Sequence, residues 1–367
     1  FGKTDGKTFV TGGQYTYSMD KLLFMPAILT TGAEYNFDDL HDLIQGYNRT
    51  TDQSINITSV YLQNEWKNKK LSILLGGRFD KHSLIKCPIL SPRVNLRYNP
   101  NDIISFRASY STGFRAPQVY DEDLHGSATG GEISFIQNNP SLQPEESQSY
   151  SGSIDIGKIF GNVKTDFLIE GFYTNLDNVF VLTEIGTNPD GSFILERNNA
   201  SGAFVKGINI EGKIVPSNKL QFQLGMTFQK SEYKEAQQWS DDLTVVPQKK
   251  MFRSPDQYGY LTAMYQVVKD FNLSFTGTYT GSMLVQHFAG YLPNDIEVNT
   301  PSFFDLNMKL SYDFKLKGGA KLQLNGGVQN IFNSYQNDFD KGTFRDAGYI
   351  YGPALPRSLT FGLKIMI

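Results

Sequence analysis

The sequence predicts an all-β fold: an antiparallel transmembrane β-barrel to which this chain contributes about 15 strands. Three observations predict it. Apolar and polar side chains alternate with a period of two along nearly the whole chain. The alternating segments exceed the five or six residues of an ordinary globular strand. Tight and long connections also take turns between the segments.

The segments fall near 8–19, 27–38, 55–66, 70–81, 91–98, 102–114, 147–158, 162–183, 192–214, 218–234, 252–267, 270–283, 302–314, 319–333 and 357–367. In 102–114, Ile104, Phe106, Ala108, Tyr110, Thr112 and Phe114 make one face, and Ser105, Arg107, Ser109, Ser111 and Gly113 the other. In 218–234, Leu220, Phe222, Leu224, Met226 and Phe228 oppose Gln221, Gln223, Thr227 and Gln229. In 302–314, Phe304, Leu306, Met308, Leu310, Tyr312 and Phe314 oppose Asp305, Asn307, Lys309, Ser311 and Asp313. The final segment sets Leu359, Phe361, Leu363, Ile365 and Ile367 against Ser358, Thr360 and Lys364. Successive strand side chains point to opposite faces, so this pattern is a strand with one apolar side.

Tight connections occur at 98–102, 160–162, 216–218, 269–270 and 317–319, and long ones at about 115–146, 235–251, 284–301 and 334–356. Up-and-down strands with turns at one rim and loops at the other produce this sorting, whereas a soluble sandwich or propeller has no reason to. About ten tilted residues carry a strand across a bilayer. Alternation by itself cannot say whether the apolar face meets a soluble core or lipid. Strand length, loop sorting and a second face of Ser, Thr, Gln, Asn and mixed charge favour lipid. A sheet edge left open there would strand backbone groups at several kcal/mol each, so such a sheet must close. The last segment ends at the short-turn rim, while the first begins at the long-loop rim. Bacterial barrels have even strand counts, so an odd count reads as the C-terminal part of a larger barrel.

Composition narrows the function. A formal charge of −3 and 19% charged residues give no polyelectrolyte signature, so nucleic acid is not an expected partner. The single cysteine, Cys87, excludes an internal disulfide framework and a multi-thiolate metal site. The longest apolar run, 22–29, is interrupted by Pro26 and is too short for a spanning helix. The chain opens at Phe1 with no signal peptide, which reads as a mature product or an excerpt. Gly2-Lys3-Thr4 and Gly6-Lys7-Thr8 lack the earlier glycine and following helix of a phosphate loop. The sequons at Asn48 and Asn56 read as chance. No His-Glu-x-x-His or Gly-x-Ser-x-Gly motif is present, and the histidines are scattered at 41, 82, 125 and 287, so no enzyme is expected.

Four motifs together resemble those of TonB-dependent outer-membrane receptors. Ser109-Tyr110-Ser111-Thr112-Gly113-Phe114-Arg115-Ala116-Pro117 is similar to the family's "FRAP" segment. Asn138-Asn139-Pro140-Ser141-Leu142-Gln143-Pro144-Glu145 is similar to its "NPxLxPE" box. Gly327-Val328-Gln329-Asn330-Ile331-Phe332-Asn333 resembles the penultimate-strand "NLF" motif, and Tyr351 to Arg357 before a last alternating strand resembles the family C-terminus. Ile367 departs from the terminal aromatic of many members. The resemblance implies a 22-stranded barrel around a plug, a size class of plugged transporters. This chain would supply its last 15 or so strands, with the plug and first strands outside it.

It implies energised uptake of a scarce nutrient: an iron chelate or haem, cobalamin, or an oligosaccharide. No bond is made, and no resident cofactor or metal is expected; haem or an iron chelate would be cargo. The implied partners are outer-membrane lipid, the TonB–ExbB–ExbD complex acting through the plug, an extracellular small-molecule ligand and, as a further candidate, a surface lipoprotein. The rivals are an outer-membrane enzyme barrel, which needs a rim Ser/His/Asp set, and a passive porin.

The candidate ligand-binding residues are Arg115, Tyr120, His125, Trp239, His287, Tyr349 and Tyr351. His125 lies between the FRAP-like and NPSL-like boxes, where haem receptors of the family are similar in placing an axial histidine. The plain alternative is a solvated loop histidine. Asp121, Glu122 and Asp123 lack the spacing of a calcium loop and read as a solvated edge. Arg115, at a strand rim, could grip an anionic ligand, but hydrogen bonds to loop backbone or lumen acids are the expected role. Trp239, Phe288, Tyr291, Tyr349 and Tyr351 could stack a planar ligand, with His287 beside them, or could join an interfacial girdle.

Overall fold

The computed structural model describes residues 2–45, 49–120, 124, 127–129, 132–189, 191–240, 242 and 244–366. In chain order the strands are β1 (Gly2–Leu22), β2 (Met25–Ile44), β3 (Arg49–Lys67), β4 (Leu71–His82), β5 (Ile89–Tyr98), β6 (Ile104–Arg115), β7 (Ser127–Thr129) and β8 (Glu132–Asn138). They continue with β9 (Glu145–Phe160), β10 (Val163–Asp177), β11 (Phe180–Thr187), β12 (Phe193–Asn199), β13 (Ala203–Ser217), β14 (Leu220–Gln237) and β15 (Gln248–Lys250). The last are β16 (Gln257–Val268), β17 (Phe271–Thr280), β18 (Leu284–His287), β19 (Ile296–Asn299), β20 (Phe303–Lys315), β21 (Lys321–Gln329) and β22 (Ser358–Met366).

One sheet dominates among the described residues. Its order is β1-β2-β3-β4-β5-β6-β9-β10-β13-β14-β16-β17-β20-β21-β22, with β15 attached to β14. Every neighbouring pair along that path is antiparallel, in continuous register over most of its length. Each of the 15 alternating segments of the sequence contains one of these 15 strands. Their turns at the first rim are tight, as at Leu23-Phe24 and Gly161-Asn162. Gly161 at φ 60° and Leu23 at φ 61° supply the left-handed corner that a two-residue hairpin needs.

The apolar faces look outward. Ile208 is 48% exposed, Leu224 52% and Phe361 89%, while Ser59, Asp80 and Ser153 on the opposite faces are buried. A soluble sheet would reverse those values. Aromatic rings mark the outer face: Tyr110, Tyr150, Tyr173 and Phe204 run across four adjacent strands at 5.0, 6.5 and 6.4 Å between centroids. A second group, Phe271, Tyr312 and Phe314, sits toward the short-turn rim. Phe304 and Tyr312 stand eight positions apart on β20, about 26 Å along the strand and roughly 20 Å in height when tilted near 40°. That height approaches the apolar band of an outer-membrane barrel.

Two segments needed correction. The alternation over 162–183 and 192–214 reads as two long barrel strands, but each is two strands of different sheets. β10 stops at Asp177, and Asn178 turns the chain at φ 55° into β11. β12 ends at Asn199, and Gly202 at φ 133° reopens the barrel as β13. A Cβ at Gly202 would collide with the Leu176 carbonyl oxygen, so the crossing back into the barrel requires glycine. β11 and β12 pair with β8 and β7 in a four-stranded loop sheet of order β11-β12-β8-β7. The connection over 178–202 is thus a fifth long loop. A third sheet, β18-β19, stands in the loop over 281–302.

Candidate ligand-binding rim

The long loops gather at one rim, where they form two side-chain clusters. The first joins the FRAP-like and NPSL-like segments. Arg115 ends β6 opposite its register partner Glu145 and forms an ion pair with it at 3.4 Å. The Arg115 guanidinium lies 4.0 Å over the Tyr120 ring and 5.3 Å over Phe180. Arg197 from β12 approaches the same rings at 5.2 and 6.0 Å and is only 2% exposed. Two guanidinium groups over the same two rings attract them electrostatically, with Arg197 buried and Arg115 partly open to solvent. Arg197 also donates to Asn138 Oδ1 at 2.8 Å, and Phe180 N donates to Glu145 Oε1 at 2.6 Å.

The boxes are therefore tied together by their own polar residues. Asn139 donates to Glu196 Oε2 and Asn198 Oδ1 and caps Ser141. The Tyr120 hydroxyl donates to the Ala116 carbonyl, and burial raises the phenol above its usual range against the opposing pull of Arg115. Arg115 of the FRAP-like segment is thus held by Glu145 of the NPSL-like box, within a cluster whose other members, Phe180 and Arg197, carry no motif of their own that marks them. Between this segment and the inner wall of β2 and β3 lies a cavity of about 380 Å³, bounded by Asp38, Gln53, Arg115, Gln118 and Tyr120. His125 and Asp121 to Asp123 lie outside the described residues.

The second cluster unites three loops that the sequence treats separately. His287, at the end of β18, bonds through Nε2 to both oxygens of Asp340 at 3.0 and 2.9 Å. Its ring stacks on Tyr349 at 3.7 Å between centroids, with 11° between the planes. Tyr349 in turn meets Tyr351 edge-on at 5.2 Å. Both phenols donate to Asp338 Oδ2, Tyr349 at 3.3 Å and Tyr351 at 2.6 Å. Burial, with the Asp338 carboxylate beside it, pushes the Tyr349 phenol up to about 12; burial and the same carboxylate also raise Tyr351. Buried Gln336 braces the pair, donating to the Tyr349 carbonyl at 3.0 Å and accepting from Tyr351 N at 2.8 Å.

Trp239 packs edge-on against Phe252 and Phe288 and donates to Glu297 Oε1 at 3.0 Å. Arg253, at φ 59°, donates to the carbonyls of Gly348 and Ile350 at 2.6 Å each. Four of the candidate residues, Trp239, His287, Tyr349 and Tyr351, therefore belong to one cross-loop cluster, while Arg115 and Tyr120 belong to the other. Tyr349 spends one face on the His287 ring, so a planar ligand would meet its edge or exposed neighbours such as Tyr291. Sequence reading missed Asp338 and Asp340, because nothing in the primary pattern distinguishes them from solvated loop acids.

Comparison with known proteins follows the same lines. A family model described as TonB dependent receptor-like, beta-barrel matches residues 2–331. Heme/hemopexin utilization protein C of Haemophilus influenzae (strain 86-028NP) is 24% identical over 364 residues, covering 91% of this chain and 47% of that protein. The chain thus spans about half the length of the curated relative. Among solved structures, the siderophore receptor PirA from Pseudomonas aeruginosa superposes with a TM-score of 0.72 at 16% identity, over 100% of this chain and 58% of that one. The FrpB iron transporter from Neisseria meningitidis gives 0.65 at 15% identity, over 98% and 55%.

Proposed function

Because this chain belongs to the TonB-dependent receptor-like β-barrel family and lies in the outer membrane, we propose that the complete protein takes up an iron-bearing ligand with energy delivered through TonB. The observation that carries this reading is the inverted sheet: an apolar exterior around a polar inner wall, beneath loops that cluster aromatic and charged groups. The inner wall is cross-linked by its own polar residues. Arg78 bridges Glu34 at 3.1 Å and Asp80 at 2.8 Å, Arg107 reaches Asp155 at 3.2 Å, and Ser109 meets Ser151 at 2.8 Å. Such a wall suits a hydrated or polar-plugged conduit and stabilises the strands on the side lipid does not touch.

An iron-bearing ligand is favoured over cobalamin or glycan by the names of the matched proteins, a haem utilization protein and siderophore receptors. The family is one of receptors and transporters, and His287 directs its Nε2 at Asp340, an arrangement that holds loops together. The free edges of β1 and β22 find no partner among the described residues. We read them as the seams at which further strands of the complete protein complete the barrel, around a plug that engages TonB.

Growth tests the proposal. A deletion strain kept short of iron should fail to grow on haemin or a ferric siderophore while growing normally on cobalamin-dependent or glycan media. Disruption of TonB should reproduce the defect. Unimpaired growth on every iron source would refute the reading.

A further inference from the structure

We propose that Tyr349, Tyr351 and Asp338 form a ferric-ion site at the loop rim, taking iron(III) directly or from a weak chelate. This deepens the uptake reading and rests on it for the nature of the cargo. The geometry points there first. Two phenol oxygens converge on one carboxylate oxygen, Asp338 Oδ2, at 3.3 and 2.6 Å. Adjacent oxygens around an octahedral hard cation with bonds near 2.0–2.1 Å stand about 2.9 Å apart. Both phenol oxygens stand near that separation from the same carboxylate oxygen, and small movements would seat an ion between the two phenols and the carboxylate.

Chemistry then selects the ion. Oxygen ligands suit hard cations. Binding would run as two phenols plus Fe(III) giving two phenolates bound to Fe(III) and two protons released to solvent. With the Asp338 carboxylate, the three negative charges balance the trivalent ion, and no electron changes hands. A trivalent ion is acidic enough to displace phenol protons and gain two charged oxygen donors, whereas calcium or magnesium would leave the phenols protonated, so iron(III) suits the set best.

The surroundings fit a positioned site. The Tyr349 ring is fixed by its stack on His287, which Asp340 anchors from behind. Gln336 fixes the backbone at both tyrosines. Asp338 is exposed, so the remaining coordination positions face the medium and could keep a chelator's oxygens or water. The set needs phenol oxygens: among the described residues, no three His, Cys, Asp or Glu side chains gather as metal ligands. Three converging oxygens distinguish this site from haem ligation, which asks for one or two axial donors on opposite sides of the ring.

The experiment is a titration of the full-length receptor in detergent with ferric nitrilotriacetate, read by visible absorbance and resonance Raman. A phenolate-to-iron charge-transfer band with tyrosinate modes should grow to one equivalent. Tyr351→Phe, which keeps the ring and removes the oxygen, should abolish the band or weaken iron binding at least tenfold, and Asp338→Asn should do likewise. Retained heat-modifiable migration on gels verifies that the variants are folded. Absence of the band in wild type, or an unchanged band in Tyr351→Phe, overturns the site. Because the growth test uses haemin and siderophore as well, a failed titration with intact iron-dependent growth discards this site alone.

Discussion

Two residues show how a loop rim acquires rigidity. Arg197 is nearly fully buried, hydrogen-bonded to Asn138 and set against Tyr120 and Phe180. Truncation to alanine removes a charge-assisted bond and two ring contacts, so Arg197→Ala should destabilise the loop sheet by about 2–4 kcal/mol. Limited proteolysis should then cut within 178–202 while the barrel strands stay protected. Tyr349 gives a pH prediction. Its folded phenol is raised to about 12 from 10.0, so the folded state holds that proton more tightly than the unfolded chain. The associated stability is complete below pH 10 and is lost as pH rises from 10 toward 12. Ultraviolet titration should show late ionisation at this phenol, removed in Tyr349→Phe.

At the scale of an element, the two faces of a strand should respond oppositely to charge. Leu224 and Gln223 are neighbours on β14, yet Leu224 looks into lipid and Gln223 bonds the Tyr260 hydroxyl at 2.9 Å inside. Leu224→Arg should cost about 2–4 kcal/mol of membrane-folded stability, as an arginine near mid-bilayer does, while Gln223→Arg should cost little. Folding yield into lipid vesicles, followed by heat-modifiable migration, measures both. Gly202 is the element-scale hinge. Gly202→Val would force a branched side chain into φ 133° and against the Leu176 carbonyl. A loss of about 1–3 kcal/mol is expected, with the loop sheet displaced before the barrel melts.

For the whole molecule, the decisive feature is an open sheet with an apolar exterior. The outer edges of β1 and β22 expose rows of backbone donors and acceptors, each expensive in hydrocarbon. The chain over 2–366 alone is therefore expected to remain protease-sensitive in phospholipid vesicles, whereas the full-length receptor should be protected and heat-modifiable. Equal protection of the two would contradict the seam reading of the edges.

Much of this was legible in advance because strand periodicity is local. Phe106 beside Arg107, or Leu224 beside Gln223, announces two faces without knowledge of any partner strand, and the order of tight and long connections announces two rims. The same local rule failed at Asn178 and Gly202, where alternation runs on while a positive φ sends the chain into another sheet. The sequence by itself determined the number of barrel strands, the two faces of each and the two rims, since each depends on neighbours one or two positions away. Only the tertiary structure decided that Arg115 meets Arg197 over shared rings, and that His287, Asp338 and Tyr351 share one cluster. Those contacts join loops tens of residues apart, and side-chain packing at that distance leaves no period for a sequence to display.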